Sequence, residues 1–293
     1  MFDFRYHALS LVAVFLALAV GLLLGVAIGD KGLVSSAEHQ VRDSLRKDVR
    51  SAHSEATGLR RQLTAESKFG SQAFPLLVQG KLIGRRIGLI TIGAVSDKIA
   101  GRVRRALEQT GGRLVSVGVL RVPLRLGDLA NSAAGTPYSA LSARAPALID
   151  RFGRRLGAGV ISGKGLYQQV SRALLKSSSG PLDGLDGVVL ARASRRLAPA
   201  DEATMSQFEQ GFVAGLTQNG TPVVGVETTT TNPSQIPWYQ SRNIASVDNV
   251  DQLPGRAALV FALAGVSGAY GVKRTADGLL PKPAAVAAAT STR

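Results

Sequence analysis

The stretch "RRIGLITIG", residues 85–93, decides the reading of the fold. Two arginines precede a short apolar run, the pattern of a strand buried on both faces. Residues Val95 to Gln109 then read as an amphipathic helix, stopped by Gly111-Gly112. A second strand follows in "RLVSVGVL" (113–120). Strand, helix and strand at this spacing form a β-α-β unit, which places the two strands parallel.

The same alternation continues toward the C-terminus. Residues 121–138 read as a loop, and 139–156 and 164–176 as helical stretches. "DGVVLAR" (186–192) reads as a buried strand and Ala200 to Gln218 as a helix that ends at Asn219-Gly220. "PVVGVE" (222–227) is another strand, 228–242 a polar loop, "IASVD" (244–248) a short strand and Arg256–Gly265 an apolar helix. The last stretch, "PKPAAVAAATSTR" (281–293), reads as disordered. The expected class is α/β: a parallel, doubly wound, Rossmann-like domain over 69–280.

Ligands of such sheets gather at the carboxyl ends of the strands. The first turn there, "TIGAVSD" (91–97), has one glycine and no dinucleotide fingerprint. "ISGKGLY" (161–167) fails as a phosphate loop, because Ala158 replaces the first glycine and Gly165 the magnesium-binding hydroxyl. Only three histidines occur, His7, His39 and His53, all before residue 69, and there is no cysteine. An imidazole-based or thiol-based catalytic mechanism therefore has no candidate in the domain. The methionines are Met1 and Met205 alone, so a soft copper(I) site lacks its donors. The acidic pairs Asp183/Asp186 and Asp201/Glu202 fit helix-cap and loop roles. No catalytic, cofactor-binding or metal-ligating residue is expected; a nucleotide-binding α/β enzyme is the least favoured reading.

Upstream of the domain stands "AVFLALAVGLLLGVAIGD", Ala13 to Asp30. From Ala8 to Gly29 the single polar residue is Ser10, and a helix of that length spans about 33 Å. That crosses a hydrocarbon core of about 30 Å and exceeds the usual signal-peptide core, so residues 1–30 read as an uncleaved signal anchor. Positive-inside counting would keep the C-terminal side in the cytoplasm, but that count weakens where a long domain follows. Ala13, Ala17, Gly21, Gly25 and Gly29 recur every fourth residue along one stripe. Such a stripe either lets two helices approach closely or reflects the ordinary composition of membrane helices. Residues 31–68 read as a helical stalk. Leu45, Val49, Ala52, Ala56, Leu59 and Leu63 follow a heptad seam, read as a short parallel dimeric coiled coil or, alternatively, as one amphipathic helix.

The chain carries 35 basic and 20 acidic residues, a net charge of +15. Residues 81–156 alone hold 14 basic and 4 acidic residues. This is a solvated basic face or a docking face for an anionic partner. Aromatic residues hardly interleave with these charges, which argues against a nucleic-acid stacking platform. Candidate partner contacts are Arg102, Arg104 and Arg105, together with Trp238 and Tyr239 in "NPSQIPWYQS" (232–241). Exposed, the aromatic pair would anchor an interface; folded back, it would plug the loop. "GAYGVKRTADGLLP" (268–281) reads as a turn over Tyr270, or a structural clasp.

Three stretches together resemble the actinobacterial MctB family: "MFDFRYHALSLVAVFLALAVGLLLG", "TPVVGVETTTTNPSQIPWYQSRNIASVDNVDQLPGRAALVFALAG" and "YGVKRTADGLLP". The resemblance covers nearly the whole chain in order. It implies one N-terminal membrane helix with the rest in the cell envelope, outside the cytoplasm, which overrides the charge count. Its name implies copper transport and homeostasis, and copper enters by this resemblance alone. The SteB-type relatives imply instead control of a peptidoglycan hydrolase in cell division through a membrane partner. The residues themselves favour a non-enzymatic, homodimeric, membrane-anchored module that works through contacts with an envelope or division protein.

Overall fold

A computed structural model describes residues 4–28 and 31–291. The chain divides into two compact units, Met1–Lys68 and Phe69–Arg293. In the first, helix α1 (Phe4–Ile28) holds the apolar segment Tyr6–Ala27, 22 residues with a mean hydropathy of 2.8, long and apolar enough to cross a bilayer. Ala13, Ala17, Gly21 and Gly25 lie on this helix; Gly29 falls outside the described residues. A Cβ added at Gly21 or Gly25 would meet nothing within 4 Å. Helix α2 (Lys31–Val78) carries the heptad positions, and Leu45, Val49, Leu59 and Leu63 are 54–64% exposed. Ala52 and Ala56 are exposed as well, so a single copy leaves the whole stripe uncovered.

The second unit is built on one mostly parallel, seven-stranded sheet. Its strands are β1 (Arg86–Ile92), β2 (Arg113–Leu120), β3 (Leu175–Ser179), β4 (Gly187–Arg192), β5 (Val223–Val226), β6 (Ala245–Val247) and β7 (Ala269–Tyr270). Their spatial order is β3-β2-β1-β4-β5-β6-β7. The inner strands are apolar on both sides, as parallel strands covered by helices must be. On one face, α4 (Leu126–Ser132), α5 (Pro146–Ser162), α6 (Leu166–Leu174), α7 (Pro199–Thr217) and α8 (Ile236–Gln240) bury Ile90, Ile92, Val188 and Leu190. On the other, α3 (Lys98–Leu107), α9 (Leu253–Leu263) and the end of α2 bury Leu89, Val189, Val224 and Val247. Phe74 and Val78 are the α2 residues in that core.

The tightest helix contact pairs α5 with α7 through glycines four residues apart on each. A Cβ at Gly153 or Gly157 would stand 2.4 or 2.2 Å from the carbonyl oxygens of Phe208 and Phe212. One at Gly211 or Gly215 would stand 2.0 or 2.1 Å from those of Asp150 and Arg154. Backbone therefore lies directly on backbone, a spacing that no larger residue permits.

Several sequence expectations are corrected. The segment read as a loop, 121–138, contains α4 and leads into a 3-10 helix (Pro137–Ala143) whose start is capped by the Thr136 hydroxyl. Its short apolar pieces carry too little periodicity to announce a helix. The stretches expected at 139–156 and 164–176 are α5, which starts behind Pro146, and α6. Strand β3 is antiparallel to β2, so the sheet is not wholly parallel. "LKSSS" buries only Leu175, and such an edge strand has no apolar signature. Helix α8 interrupts the expected loop 228–242, and α9 starts three residues early because Pro254 suits a first helical turn. The expected disordered tail is helical over α10 (Pro283–Ser291), an alanine-rich run of high intrinsic propensity. The helix read as a stalk to residue 68 runs on to Val78.

Candidate functional site

The chain reverses direction between β1 and β4, where successive strands are added on opposite sides. A crevice of about 330 Å³ lies there, walled by Ala94–Ser96 after β1, Arg192–Ser194 after β4, and Glu227 with Thr228–Pro233 after β5. This is the usual ligand position of an open α/β sheet. Here both charged residues of the wall are already engaged.

Arg192 ends β4. Its backbone N–H donates to the Tyr239 hydroxyl at 2.9 Å, and its guanidinium donates to Glu209 (3.2 Å) and to the side-chain carbonyl of Gln235. Glu209, on α7 and fully buried, also accepts from Arg195. Arg195 in turn forks onto Glu202 at 3.1 and 3.2 Å. Two buried carboxylate–guanidinium contacts on one carboxylate hold the segment after β4 against α7. Glu227, 3% exposed, accepts from the Ser234 hydroxyl, the Gln235 N–H and the Lys273 ammonium. Both buried carboxylates are surrounded by donors, and each arginine is paired with a carboxylate. The arrangement is a brace of the strand ends.

The aromatic pair separates. Tyr239 is wholly buried, which corrects its assignment as an exposed contact. Its ring occupies the space over Gly225, where a Cβ would lie 2.3 Å from the ring. Burial pushes its phenol pKa up, so the hydroxyl stays protonated and donates to Val226 O at 3.2 Å. Trp238 is half-buried, with the guanidinium carbons of Arg242 and Arg192 at 3.9 and 4.9 Å from its ring centroid. Cations over an indole face are favourable, and they fix the ring's position.

The three arginines of α3 do not form one patch. Arg102 acts on Asp251, whereas Arg104 lines a separate groove. Burial raises the Asp251 pKa, but hydrogen bonds from the Thr229 N–H and hydroxyl, with Arg102 nearby, outweigh it and hold the carboxyl below its ordinary range. Arg105 is exposed and sits close enough to disfavour the charge on Arg256. The groove measures about 670 Å³, with Leu89, Thr91, Val117 and Val119 as floor and Ile99, Ala100 and Arg104 as wall. It runs along α3 over β1 and β2.

The segment 268–281 is the clasp of the second sequence reading. Asp248 accepts from Val272 N and Lys273 N, both at 2.8 Å, and Asp277 accepts from Ala269 N at 2.8 Å. Gly271 has φ 145°, and a Cβ there would stand 2.0 Å from the Asp248 carboxylate. Asp186 and Asp183 bind the Arg86 backbone and side chain, in agreement with the loop reading. Ala198, however, is the α7 N-cap, so Asp201, paired with Arg144, and Glu202 stand in the first turn and do not cap it. The brace itself escaped sequence analysis. Its one visible signal was a charge standing directly after an apolar strand, in "VVLAR" and "VVGVE".

The family model "Copper transport outer membrane protein, MctB" matches residues 1–281. The chain belongs to the MctB family. Relatives include the proteins named copper transporter MctB of Mycobacterium bovis and of two Mycobacterium tuberculosis strains. Each is 25% identical over 302 residues, covering 90% of this chain and 92% of the relative. Among the described residues no cluster of three or more histidine, cysteine or acidic side chains is placed to hold a metal ion.

Proposed function

We propose that this MctB-family chain serves copper homeostasis as a membrane-anchored, non-enzymatic module that works through protein contacts and does not itself ligate copper. One observation carries this reading: beyond residue 68 the sole sulfur is Met205, which is 0% exposed, and there is no histidine or cysteine. A soft copper(I) ion needs such donors within reach. The seven strands, two to eight residues long, form an open sheet. Strands that line a membrane barrel need about 9–11 residues each. In this reading helix α1 is a single-pass anchor in the cell membrane and the Rossmann-like globular unit lies outside the cytoplasm; the apolar length of α1 and the family resemblance support it. The α1 stripe and the α2 seam support a homodimer with a coiled-coil stalk. The groove beside α3 and the Trp238 rim are the candidate partner contacts.

A second reading is SteB-type control of a peptidoglycan hydrolase in cell division. It is favoured by the 48-residue α2 with its uncovered seam, a feature suited to reaching a partner and unrelated to metal chemistry. The test is crosslinked capture of the full chain from its own membranes, repeated with Trp238→Ala and with Arg104→Glu. A copper-handling protein captured by the parent and lost in a variant supports the first reading. A hydrolase or division protein lost in the same way supports the second. Capture of neither, or stoichiometric copper(I) binding by the full chain, overturns the proposal.

A further inference from the structure

We infer that a basic pocket between α6 and β3 binds a phosphate group. The pocket measures about 630 Å³ and is lined by Arg121, Arg172 and Lys176, with Ser171 of α6 and Ser178 of β3. It is distinct from the crevice at the strand ends and from the groove beside α3, although Lys176 stands on the rim it shares with the groove.

The charge balance of the wall is the main argument. Among the described residues none of the three cations makes an ion pair. Arg121 is oriented by backbone alone, its guanidinium donating to Ala173 O at 3.3 Å and Leu175 O at 3.1 Å. Carbonyl oxygens fix the direction of a guanidinium without neutralising it. The one acid on the wall, Asp183, is taken by Arg86 at 3.1 Å. Three cations therefore surround one cavity with no counter-charge of their own. Elsewhere in the unit the buried arginines Arg192 and Arg195 are matched to carboxylates.

The ligand class follows from number and shape. A carboxylate would offset one charge and leave two. A phosphate carries up to two charges on several oxygens spread tetrahedrally, which suits a guanidinium fork, a second guanidinium and an ammonium approaching from different sides. Ser171 and Ser178 on the same wall carry hydroxyl groups of the kind a phosphate oxygen accepts from. The volume accommodates a phosphate with a small organic group attached, either a soluble ester or a lipid headgroup.

The test uses the full chain in a neutral detergent, with sn-glycerol 3-phosphate as the soluble probe. In a second arm the full chain meets phosphatidic acid vesicles, whose headgroup is a phosphate monoester, compared with phosphatidylcholine vesicles. Arg172→Gln with Lys176→Gln removes two exposed charges and leaves the tied Arg121 in place. Arg60→Gln with Arg61→Gln on α2 is the equal-charge control. Saturable glycerol phosphate binding, weakened roughly tenfold or more by the pocket pair and not by the control, is expected if the source is soluble. Preference for phosphatidic acid vesicles that the pocket pair alone abolishes assigns the headgroup. Absence of phosphate-dependent binding in both arms, or binding that the pocket pair leaves intact, overturns the inference. An unchanged unfolding midpoint of the pocket pair shows that folding is not the cause.

Discussion

Helix α1 and the α5/α7 pair use the same device, glycines four residues apart, with different outcomes. In the globular unit Gly153 and Gly157 meet α7, and Gly211 and Gly215 meet α5, so that every open flank is filled by backbone from the other helix. On α1 the equivalent flank at Gly21 and Gly25 faces open space. The spacing alone says that a helix can be approached closely; only a second helix decides whether it is. In the globular unit the chain supplies that helix itself. For α1 it must come from another molecule, or the spacing has no partner at all.

The largest expected effect breaks the filled crossing. Gly157→Ala with Gly211→Ala drives Cβ atoms to about 2 Å from the carbonyl oxygens of Phe212 and Asp150. We expect a loss of about 3 kcal/mol or more in chemical denaturation, up to failure to fold. Gly21→Ala with Gly25→Ala, where the space is open, should leave the same unfolding curve unchanged. Next, Glu209→Gln leaves Arg192 and Arg195 without their buried carboxylate and should cost about 3 kcal/mol in the same measurement. An effect below about 1 kcal/mol would mean that the brace merely decorates the α7 contact. Third, Gly21→Ile with Gly25→Ile should weaken self-association by about tenfold in bilayer energy-transfer measurements while the globular unit unfolds as before. Dimerisation equal to the parent's would reduce the stripe to composition and leave any dimer to α2 or the globular unit.

The smallest effect is a pH dependence. Asp251 has a folded pKa below its ordinary value, so its contribution is complete above about pH 4 and is lost as pH falls through the folded value. Asp251→Asn should therefore lower the unfolding midpoint slightly near neutrality, and the difference from the parent should shrink on acidification. A difference that stays constant with pH would assign the residue a packing role only.

What was legible in the sequence was what repeats along the chain. The apolar runs of β1, β4 and β5 announced themselves because a strand covered on both faces must be apolar at every position. The 22-residue span of α1 was legible for the same reason. Features made by residues far apart were not. Arg192, Glu209 and Gln235 meet only after three elements have packed, and nothing in their local spacing points to one another. Strand β3 was hidden because a polar edge looks like a loop. The fate of "PWY" turned on a single glycine: Gly225 leaves room for the Tyr239 ring, which the sequence around either residue does not reveal.

The two ends of the sheet bear on a property of the whole population of molecules. One margin is β3, four exposed residues from Lys176 to Ser179; the other is β7, over which 271–278 folds and hydrogen-bonds back. A lysine and a row of serines make a poor template for another strand, and a covered margin offers none. Proteins tethered in two dimensions meet edge to edge far more often than the same number free in solution. Under the proposed anchoring, blunted margins keep such crowding from seeding intermolecular sheets, and any pairing of copies is then left to side chains and helices.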